Sequence, residues 1–538
     1  MEIIEPIGGY MKKTTYIILF LISVPIFVVL YNLIIPSNKN WTHIYNYLLK
    51  DYVLNSLKLI IGTGFLSAVL GISSAWFVSY YEFPFRKQFE WLLILPLTIP
   101  PFIGAYVYAG MISYTGSLQT FLMKYTEFNG KSYLFNIMSV SGSVFIFSMF
   151  LFPYVYLTVK SFFSKQIHNI IEVSYSLGKG TLETFFKIVL PLARPAIVGG
   201  TSLVLMEVLN DYGVVKYYGI PTFSTGIFKA WFSLGDINTA IKLSAILLLF
   251  VFSILYFEKI LRQNKSYATK KNKPIKRRKL KGIKLYLIFS YMTALFLLSF
   301  LFPVLQLIQW SIFSFKNTNI KFIELTFNSI LIAMISSIVI IILALIISDT
   351  IRFSGKNTVI LSKIATMGYS IPGAVIAVGV MIIFINLDKT LSSLYAFLGI
   401  KSRLVLTSSI LMLIYAYIVR FLNIAYSPID SNFEKTGKSY HEASRSLGKS
   451  FFITFLKIDI PIIKPAIISA FIFSFIEIIK ELPLTLILRP FNFDTLATKV
   501  FEYANDEMIH EASVASLTII SIIFIFILIL RKITGDGK

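Results

Sequence analysis

The stretch EVSYSLGKGTLETFFKIVLPLARPAI, residues 172–197, occurs a second time as EASRSLGKSFFITFLKIDIPIIKPAI, residues 442–467. The two copies are 270 residues apart with no gap, and 14 of their 26 positions are identical. Both are polar and basic, and both lie between long apolar runs. A polar segment that is duplicated in this way indicates that the protein presents one surface twice, to a two-fold partner.

The composition is that of a membrane protein. Of 538 residues, 56% are hydrophobic and 14% are charged, and the mean hydropathy is +0.75. Apolar runs of about 20 residues, long enough to cross a bilayer, recur along the chain. We therefore predict an all-α polytopic membrane protein with about twelve spans. They are expected near residues 15–35, 55–80, 91–113, 139–160, 191–212, 237–258, 285–309, 327–350, 359–385, 405–427, 461–483 and 513–531.

The repeat extends beyond the quoted segment. At the same offset Glu207 matches Glu477, and Lys229 matches Lys499. The sequence therefore predicts two tandem, parallel six-helix repeats related by an axis along the membrane normal. We divide the chain into a first transmembrane domain at 1–258, a basic linker at 259–284 and a second transmembrane domain at 285–538.

The net charge of +23 has two possible interpretations. The linker at 259–284 holds 12 Lys or Arg and no acid, which in a soluble protein would suggest nucleic-acid binding. In a membrane protein the positive-inside rule explains such a segment better, so we expect a cytoplasmic linker near lipid headgroups and no nucleic-acid partner. Both termini and both copies of the repeated segment then face the cytoplasm as well.

Residues suited to metal binding or catalysis are sparse. The chain has no cysteine, and its four histidines are scattered without metal-ligand spacing. Gly448-Lys449-Ser450 resembles the end of a phosphate-binding loop, but Ala443 stands where that loop needs glycine, and no buried strand precedes it. We expect no bound metal, no cofactor and no enzymatic activity in this chain.

Four positions recur at fixed spacing in both copies of the repeated segment. Each glycine suits a tight turn that needs a positive φ. Each proline suits the first turn of the following membrane helix. The apolar stretch at 181–186 predicts a short helix that buries one face in a partner. The recurring residues are Glu172, Gly178, Ile188 and Pro191, and Glu442, Gly448, Ile458 and Pro461.

This spacing resembles the E-A-A-x3-G-x9-I-x-L-P loop of the membrane subunits of ABC importers. The departures are Val173, Ser174, Ser444 and Ile460. In that family the loop forms a coupling helix that docks on a separate ATPase. The resemblance implies two ATPase subunits as partners, with ATP used by them and not by this chain. It also implies an extracytoplasmic substrate-binding protein and a location in the bacterial inner membrane.

Further stretches resemble the fused two-domain ferric iron permeases of this superfamily. They include LPLTIPPFIGAYVYAG at 95–110, YSIPGAVIAVGV at 369–380 and KELPLTLILRPFNFDTLATKVFEYANDE at 480–507. The resemblance implies translocation of ferric iron. Thiamine, phosphonate and polyamine permeases share the architecture and remain alternatives. An ion-gradient-driven secondary transporter is a further alternative, although it would not explain the duplicated polar segment.

Four acidic residues are candidates for the translocation path, because charged groups in membrane spans usually face a cavity or a partner. Glu207 and Asp211 are spaced i, i+4, and the second half repeats the pattern with Glu477 and Glu481. We expect two symmetric carboxylate pairs near the outer end of the path. Either they form a transient oxygen-rich station for a hard trivalent cation, or they form ion pairs at a gate, for instance with Lys216 or Lys480.

Overall fold

The computed structural model describes residues 5–32, 38–125, 136–166, 168–262, 277–314, 320–353, 356–399 and 404–534. Nearly all of them are helical. Two short strands, β1 (Tyr81–Glu82) and β2 (Arg278–Lys279), pair in parallel over two residues. The prediction of an all-α polytopic protein is therefore confirmed. Most of the predicted linker lies outside the described residues.

The first half contains thirteen helices in the described residues. They are α1 Glu5–Tyr31, α2 Lys39–Tyr47, α3 Leu49–Tyr80, α4 Arg86–Leu92, α5 Pro101–Ile112, α6 Ser117–Tyr125, α7 Val140–Gln166, α8 His168–Ser176, α9 Thr181–Leu192, α10 Arg194–Asn210, α11 Gly213–Tyr217, α12 Phe223–Phe228 and α13 Ile237–Arg262.

The second half contains twelve helices in the described residues, and they follow nearly the same order. They are α14 Ile283–Ser314, α15 Ile320–Arg352, α16 Lys356–Thr366, α17 Gly373–Thr390, α18 Ser392–Phe397, α19 Ile410–Thr436, α20 Ser439–Ser446, α21 Phe451–Ile462, α22 Lys464–Ile479, α23 Pro483–Leu488, α24 Leu496–Asn505 and α25 Ile509–Thr534.

Nine helices in the described part of the chain are long and apolar enough to cross a membrane. Three bent helix pairs raise the number to as many as twelve, if each pair is one span. The bends are 92° between Arg86–Thr98 and Pro101–Tyr125, 68° between α9 and α10, and 75° between α21 and α22. The first bend breaks the predicted span near 91–113, whereas the other two lie at the start of the predicted spans near 191–212 and 461–483, which α10 and α22 otherwise fill.

The break in the first of these spans has a counterpart in the second half. Short 3₁₀ turns at Leu95–Thr98 and Met367–Ser370 precede α5 and α17. Pro100 and Pro372 cap these two helices with nearly identical backbone angles. Because proline lacks an N–H and fixes φ, it ends one helical segment and starts the next.

The first helix of each half packs against the other half. α1 contacts α17, α16 and α15, and Thr15 Oγ1 donates a 2.9 Å hydrogen bond to Thr350 Oγ1. α14 in turn contacts α5 and α7, and the Trp310 ring stacks on Tyr106. α1 thus packs mainly on the other half, whereas α14 packs on the first half and also on α25 of its own half; we call this crossing of both helices the exchange of first helices. The predicted boundaries at 258 and 284 fall inside α13 and α14, so neither sequence half is a separate packing unit.

We call the end of the bundle that carries Arg86, Lys87, the linker and both repeated segments the basic face. The other end is the opposite face. On the basic face the linker returns to the first half, because β2 pairs with β1 and Leu280 N donates to Glu82 O at 3.2 Å.

Candidate functional site

Each repeated segment forms two short helices joined by a glycine turn. α8 and α9 form the first coupling loop, and α20 and α21 form the second coupling loop. Gly178 has φ +75° and Gly448 has φ +81°, which confirms the predicted left-handed turn. A Cβ at either position would meet no atom within 4 Å. The backbone conformation, and not a lack of space, is therefore what favours glycine here.

A buried hydroxyl pair closes each coupling loop. Ser174 and Thr184 are hydrogen-bonded at 2.7 Å, and Ser444 and Thr454 at 2.9 Å. The two serines stand where the family pattern has its second alanine. The departure from the pattern therefore adds a polar contact between the two helices of each loop.

Both coupling loops expose apolar side chains at equivalent positions. Glu172 and Glu442 are also exposed, while Ile188 and Ile458 are half-buried. A duplicated, exposed apolar surface on a charged face indicates a docking surface. We define the coupling surface of each loop by its exposed apolar residues. In the first loop they are Val173, Leu177, Leu182 and Phe186, 59–73% exposed, and in the second Leu447, Phe452, Ile453 and Leu456, 42–81% exposed.

The prediction that Pro191 and Pro461 lie in the first turns of the membrane helices was wrong. Both lie in the last turn of α9 and α21, before the bends, and Pro195 and Pro465 occupy the first turns of the membrane helices. Each of α9 and α21 contains a π-helical turn, at 185–189 and 455–459. A proline inside a helix clashes with the preceding turn, and a widened turn relieves that crowding.

The four candidate acids come together, but not as two helix-borne pairs. α10 ends at Asn210 and α22 at Ile479, so Asp211 and Glu481 lie beyond the helices that carry Glu207 and Glu477. Asp211 Oδ1 accepts the N–H of Val214 at 2.8 Å, and Glu481 Oε1 accepts that of Leu484 at 3.1 Å. The predicted i, i+4 arrangement is wrong because these carboxylates cap the next short helix instead.

Two cations pair with acids of the second half. Lys480 Nζ lies 2.7 Å from Glu477 Oε1, as the gate hypothesis allows. Arg420 Nε lies 3.3 Å from Glu481 Oε2, and its Nη1 donates to Ile371 O at 3.1 Å. Lys216 is exposed and lines a different cleft. An arginine in the apolar helix α19 is a signal that sequence reasoning missed, since charges within spans are rare.

Two hydrogen bonds join the halves at this cluster. Tyr369 OH donates to Glu207 Oε1 at 3.2 Å, and Gly373 N donates to Asn210 Oδ1 at 2.7 Å. Tyr369 and Asn210 were not predicted, because only the fold brings α17 and α10 together. Both bonds would have to break if the two halves separated here.

The cluster surrounds a cavity of about 50 Å³, which admits a few water molecules. Four carboxyl groups and two cationic groups line it, together with Tyr154 and the broken-helix prolines Pro100 and Pro101. Within the described parts of the chain, no three His, Asp or Glu are grouped so that they could hold a metal ion. The arrangement therefore resembles a closed, ion-paired gate more than a resident metal site.

Two larger clefts lie on the opposite face, one between the two halves and one on the second half. The first, of about 670 Å³, is lined by Lys216, Lys229 and aromatic residues. The second, of about 630 Å³, is lined by acids and lysines that include Lys499. Beside it, burial acts to raise the pKa of Glu502, but the hydrogen bonds and charges of Arg489 and Lys499 outweigh that effect and lower it. This carboxylate therefore stays ionised at neutral pH.

Comparison with known proteins places this architecture in a family. Over 90% of its length the chain is 25% identical to the Fe(3+)-transport system permease protein FbpB 2 of Haemophilus influenzae, of which it covers 90%. It is 24% identical over 79% of its length to the ferric transport system permease protein FbpB of Actinobacillus pleuropneumoniae, of which it covers 62%. The spermidine/putrescine transport system permease protein PotB of H. influenzae is 26% identical over 34% of this chain and is covered to 63%.

The family model for the binding-protein-dependent transport system inner membrane component matches twice, at residues 67–263 and 340–533. Each match contains one coupling loop and one pair of candidate acids, so the duplication seen in the sequence is a duplication of the family domain. The chain belongs to the binding-protein-dependent transport system inner membrane components, with two such domains fused in one polypeptide.

Proposed function

We propose that this chain, with its two fused family domains, is the membrane-spanning permease of an ATP-driven ABC importer for ferric iron. The observation that carries the proposal is the pair of equivalent coupling surfaces on the basic face. Each exposes apolar residues beside a left-handed glycine turn, as a helix that docks in a partner's groove would. The chain itself performs no covalent chemistry and transmits the motion of its partners to the bundle.

The partners follow from the two faces. Two coupling surfaces call for two separate ATPase subunits, which bind and hydrolyse ATP. The positive-inside rule puts the basic face, and with it both termini, in the cytoplasm. The opposite face, with its two clefts, then receives an extracytoplasmic substrate-binding protein.

The translocation path passes the central cluster at the interface of the two halves. Glu207, Asp211, Glu477 and Glu481 form its closed gate, which the bonds from Tyr369 and Gly373 hold across the interface. When the ATPase subunits close, the coupling loops move and the halves separate at the gate, so that access alternates between the two faces.

Ferric iron is the proposed substrate because the relatives that match most of this chain are ferric transport permeases. The carboxyl and phenol oxygens around the cavity suit a hard trivalent cation in transit. Polyamines are the second candidate, since a polyamine permease matches part of the chain and acidic groups also suit a polycation. Thiamine and phosphonate remain the alternatives that the architecture allows.

The test is uptake of labelled ferric iron by iron-starved cells with and without the gene. We expect deletion to abolish uptake, wild type to restore it, and a Gly178→Val/Gly448→Val variant to fail. Undiminished uptake in the deletion strain, with no redundant iron importer, would overturn the substrate and move the search to polyamines. Uptake that survives ATP depletion with the proton gradient intact would instead favour a secondary transporter.

A further inference from the structure

The two coupling loops are fixed to the bundle by chemically different contacts. At the 270-residue offset, His441 and Asp459 of the second loop correspond to Ile171 and Val189 of the first. All four residues are buried at the base of their loops. The first loop therefore has an apolar base, whereas the second has a charged one.

Aromatic rings hold the first coupling loop. Trp76 stacks on Tyr80 at 4.5 Å between ring centroids and packs against Phe185 of the loop at 4.9 Å. The hydroxyl of Tyr80 bonds to that of Tyr175, and Arg278 donates to Thr181 Oγ1 at 3.3 Å. Phenols titrate near pH 10 and guanidinium groups higher still, so none of these contacts depends on a proton near neutral pH.

Ion pairs hold the second coupling loop. Asp459 lies between Arg352 Nη1, at 3.0 Å, and His441 Nδ1, at 2.6 Å. Arg352 also donates to Gly437 O. The side chains of all three ion-pairing residues are at most 6% exposed.

A second carboxylate lies behind these pairs. Asp349 is fully buried, and neither of its oxygens has a hydrogen-bond partner in the structure. The rings of Phe353 and Phe451 pack on His441 at 4.8 and 5.0 Å. Lys438, whose ammonium lies over the Phe353 ring, is a further charged group at this base, but it is exposed, so solvent screens its charge from the buried cluster.

The charges of this cluster balance only when it holds one exchangeable proton. Two carboxylates face Arg352, which stays charged at every physiological pH. Protonation of His441, or of Asp349, gives a neutral cluster. Its loss leaves an uncompensated negative charge in a buried site, which is unfavourable.

We propose that Asp349, Arg352, His441 and Asp459 form a proton-dependent clamp that positions the second coupling loop against α15. Among the described side chains at the base of the first loop there is no such cluster of acids with a histidine. The clamp is closed at low pH, and it weakens as the pH rises and the proton leaves. Its importance for transport rests on the proposed function, but its existence does not, so the two are tested separately.

The test uses the permease alone. Because the natural chain has no cysteine, Leu177→Cys and Leu447→Cys each carry a nitroxide label at one defined place. These are equivalent exposed positions, 73% and 81% exposed, in the first and second loops. The full chain in lipid vesicles is titrated from about pH 5 to about pH 8, the range in which histidine responds.

We expect the ratio of mobile to immobile label to rise with pH at position 447 and to stay constant at 177. One coupled proton limits the slope to about tenfold per pH unit. Asp349→Asn removes one negative charge and should abolish the pH response with the loop immobile throughout. In His441→Gln only Asp349 can still take up the proton, so any response that remains should be lost in the Asp349→Asn/His441→Gln double variant.

Equal pH responses at the two labels, or no response at position 447, would overturn the clamp. So would a response at 447 that persists in both Asp349→Asn and His441→Gln. The comparison of the two labels needs only exposed substitutions, so it decides the matter even where a cluster variant fails to fold. Failure of the clamp would leave the proposed importer function standing, because iron uptake is not measured here.

Discussion

The two turn glycines have a conformation that other residues adopt only at a cost. At φ +75° and +81° an L-residue is disfavoured by about 1–2 kcal/mol. Gly178→Val should therefore lower the population of the native first loop by about tenfold, and uptake by a similar factor, while the ATPase subunits still hydrolyse ATP. We expect the same of Gly448→Val, measured as substrate uptake per ATP hydrolysed.

The matched control is Gly399→Val, on the opposite face. Gly399 has φ +73° and, like the turn glycines, no atom near the position of a Cβ. Gly399→Val therefore introduces the same backbone strain far from the coupling surfaces. If that variant loses as much uptake per ATP as the other two, the effect is general destabilisation and not loss of coupling.

At the gate, the Glu477–Lys480 pair distinguishes the two hypotheses for the acids. Glu477→Gln leaves Lys480 without its ion-pair partner, and we expect it to lower the free energy of unfolding by about 2 kcal/mol. Breaking a fully buried pair costs ~3–5 kcal/mol. The loss is smaller here because both side chains are 16% exposed. Adding Lys480→Met removes that unpaired charge. A gate predicts that the double variant regains thermal stability and uptake.

A cation station predicts a different result. The double variant would then be stable but inactive, because the carboxylate itself is needed by the substrate. Glu207→Gln, whose amide can still accept from Tyr369, serves as the comparison in the first half. Normal uptake in the well-expressed Glu207→Gln/Glu477→Gln protein would exclude the station.

Residue-level prediction from sequence succeeded where the chemistry is local. The positive φ of Gly178 follows from the spacing between two short helices. The four candidate acids were selected because charges in spans are costly, and they do line one cavity; their part in a translocation path stays a prediction. Their arrangement was not predicted, since Arg420, Tyr369 and Asn210 belong to spans far apart in sequence, and only packing brings them to one cavity.

For single elements, the apolar faces of α9 and α21 carry the most direct prediction. Leu182 and Phe452 are 73% and 67% exposed, so Leu182→Glu/Phe452→Glu should change folding stability by less than about 0.5 kcal/mol. Charges in the partner's groove should nevertheless abolish docking. Co-purification of the ATPase subunits with the tagged permease measures this.

The control for this variant is Leu398→Glu, an exposed leucine on the opposite face, 60% exposed. It should retain the ATPase subunits. If the loop variant also retains them at wild-type ratio, docking does not use these faces and the coupling surfaces are wrongly assigned.

The element scale also shows where pattern reasoning reaches its limit. Each copy has two prolines four residues apart, and either could begin the membrane helix. The helix begins at the second, Pro195 or Pro465, while Pro191 and Pro461 end the coupling helices through a π-helical turn. Periodicity cannot distinguish these cases, because a proline is compatible both with the first turn of a helix and with a position after a π-helical turn.

For the whole molecule, parallel repeats were predictable from the 270-residue offset, but the exchange of first helices was not. Hydropathy identifies α1 and α14 as spans and carries no information on which bundle each one joins. In the structure α1 packs on the second half, where Tyr415 OH donates to Leu21 O at 2.6 Å. α14 packs on the first, where Ser73 bonds to Tyr291 at 2.7 Å.

This exchange predicts that the covalent connection is not needed to hold the halves together. We expect residues 1–262 and 277–538, expressed as two polypeptides, to form a complex that co-purifies in detergent and retains substrate uptake. The reason is that the first helix of each fragment packs against the other fragment. The contacts of β1 with β2 remain available to the second fragment.

A fragment 38–262, which lacks α1, is the matched comparison and should co-purify much less. If the two complete fragments separate while each remains folded, packing of the exchanged helices is too weak to hold the bundle, and the linker must supply the association by keeping the halves at high effective concentration.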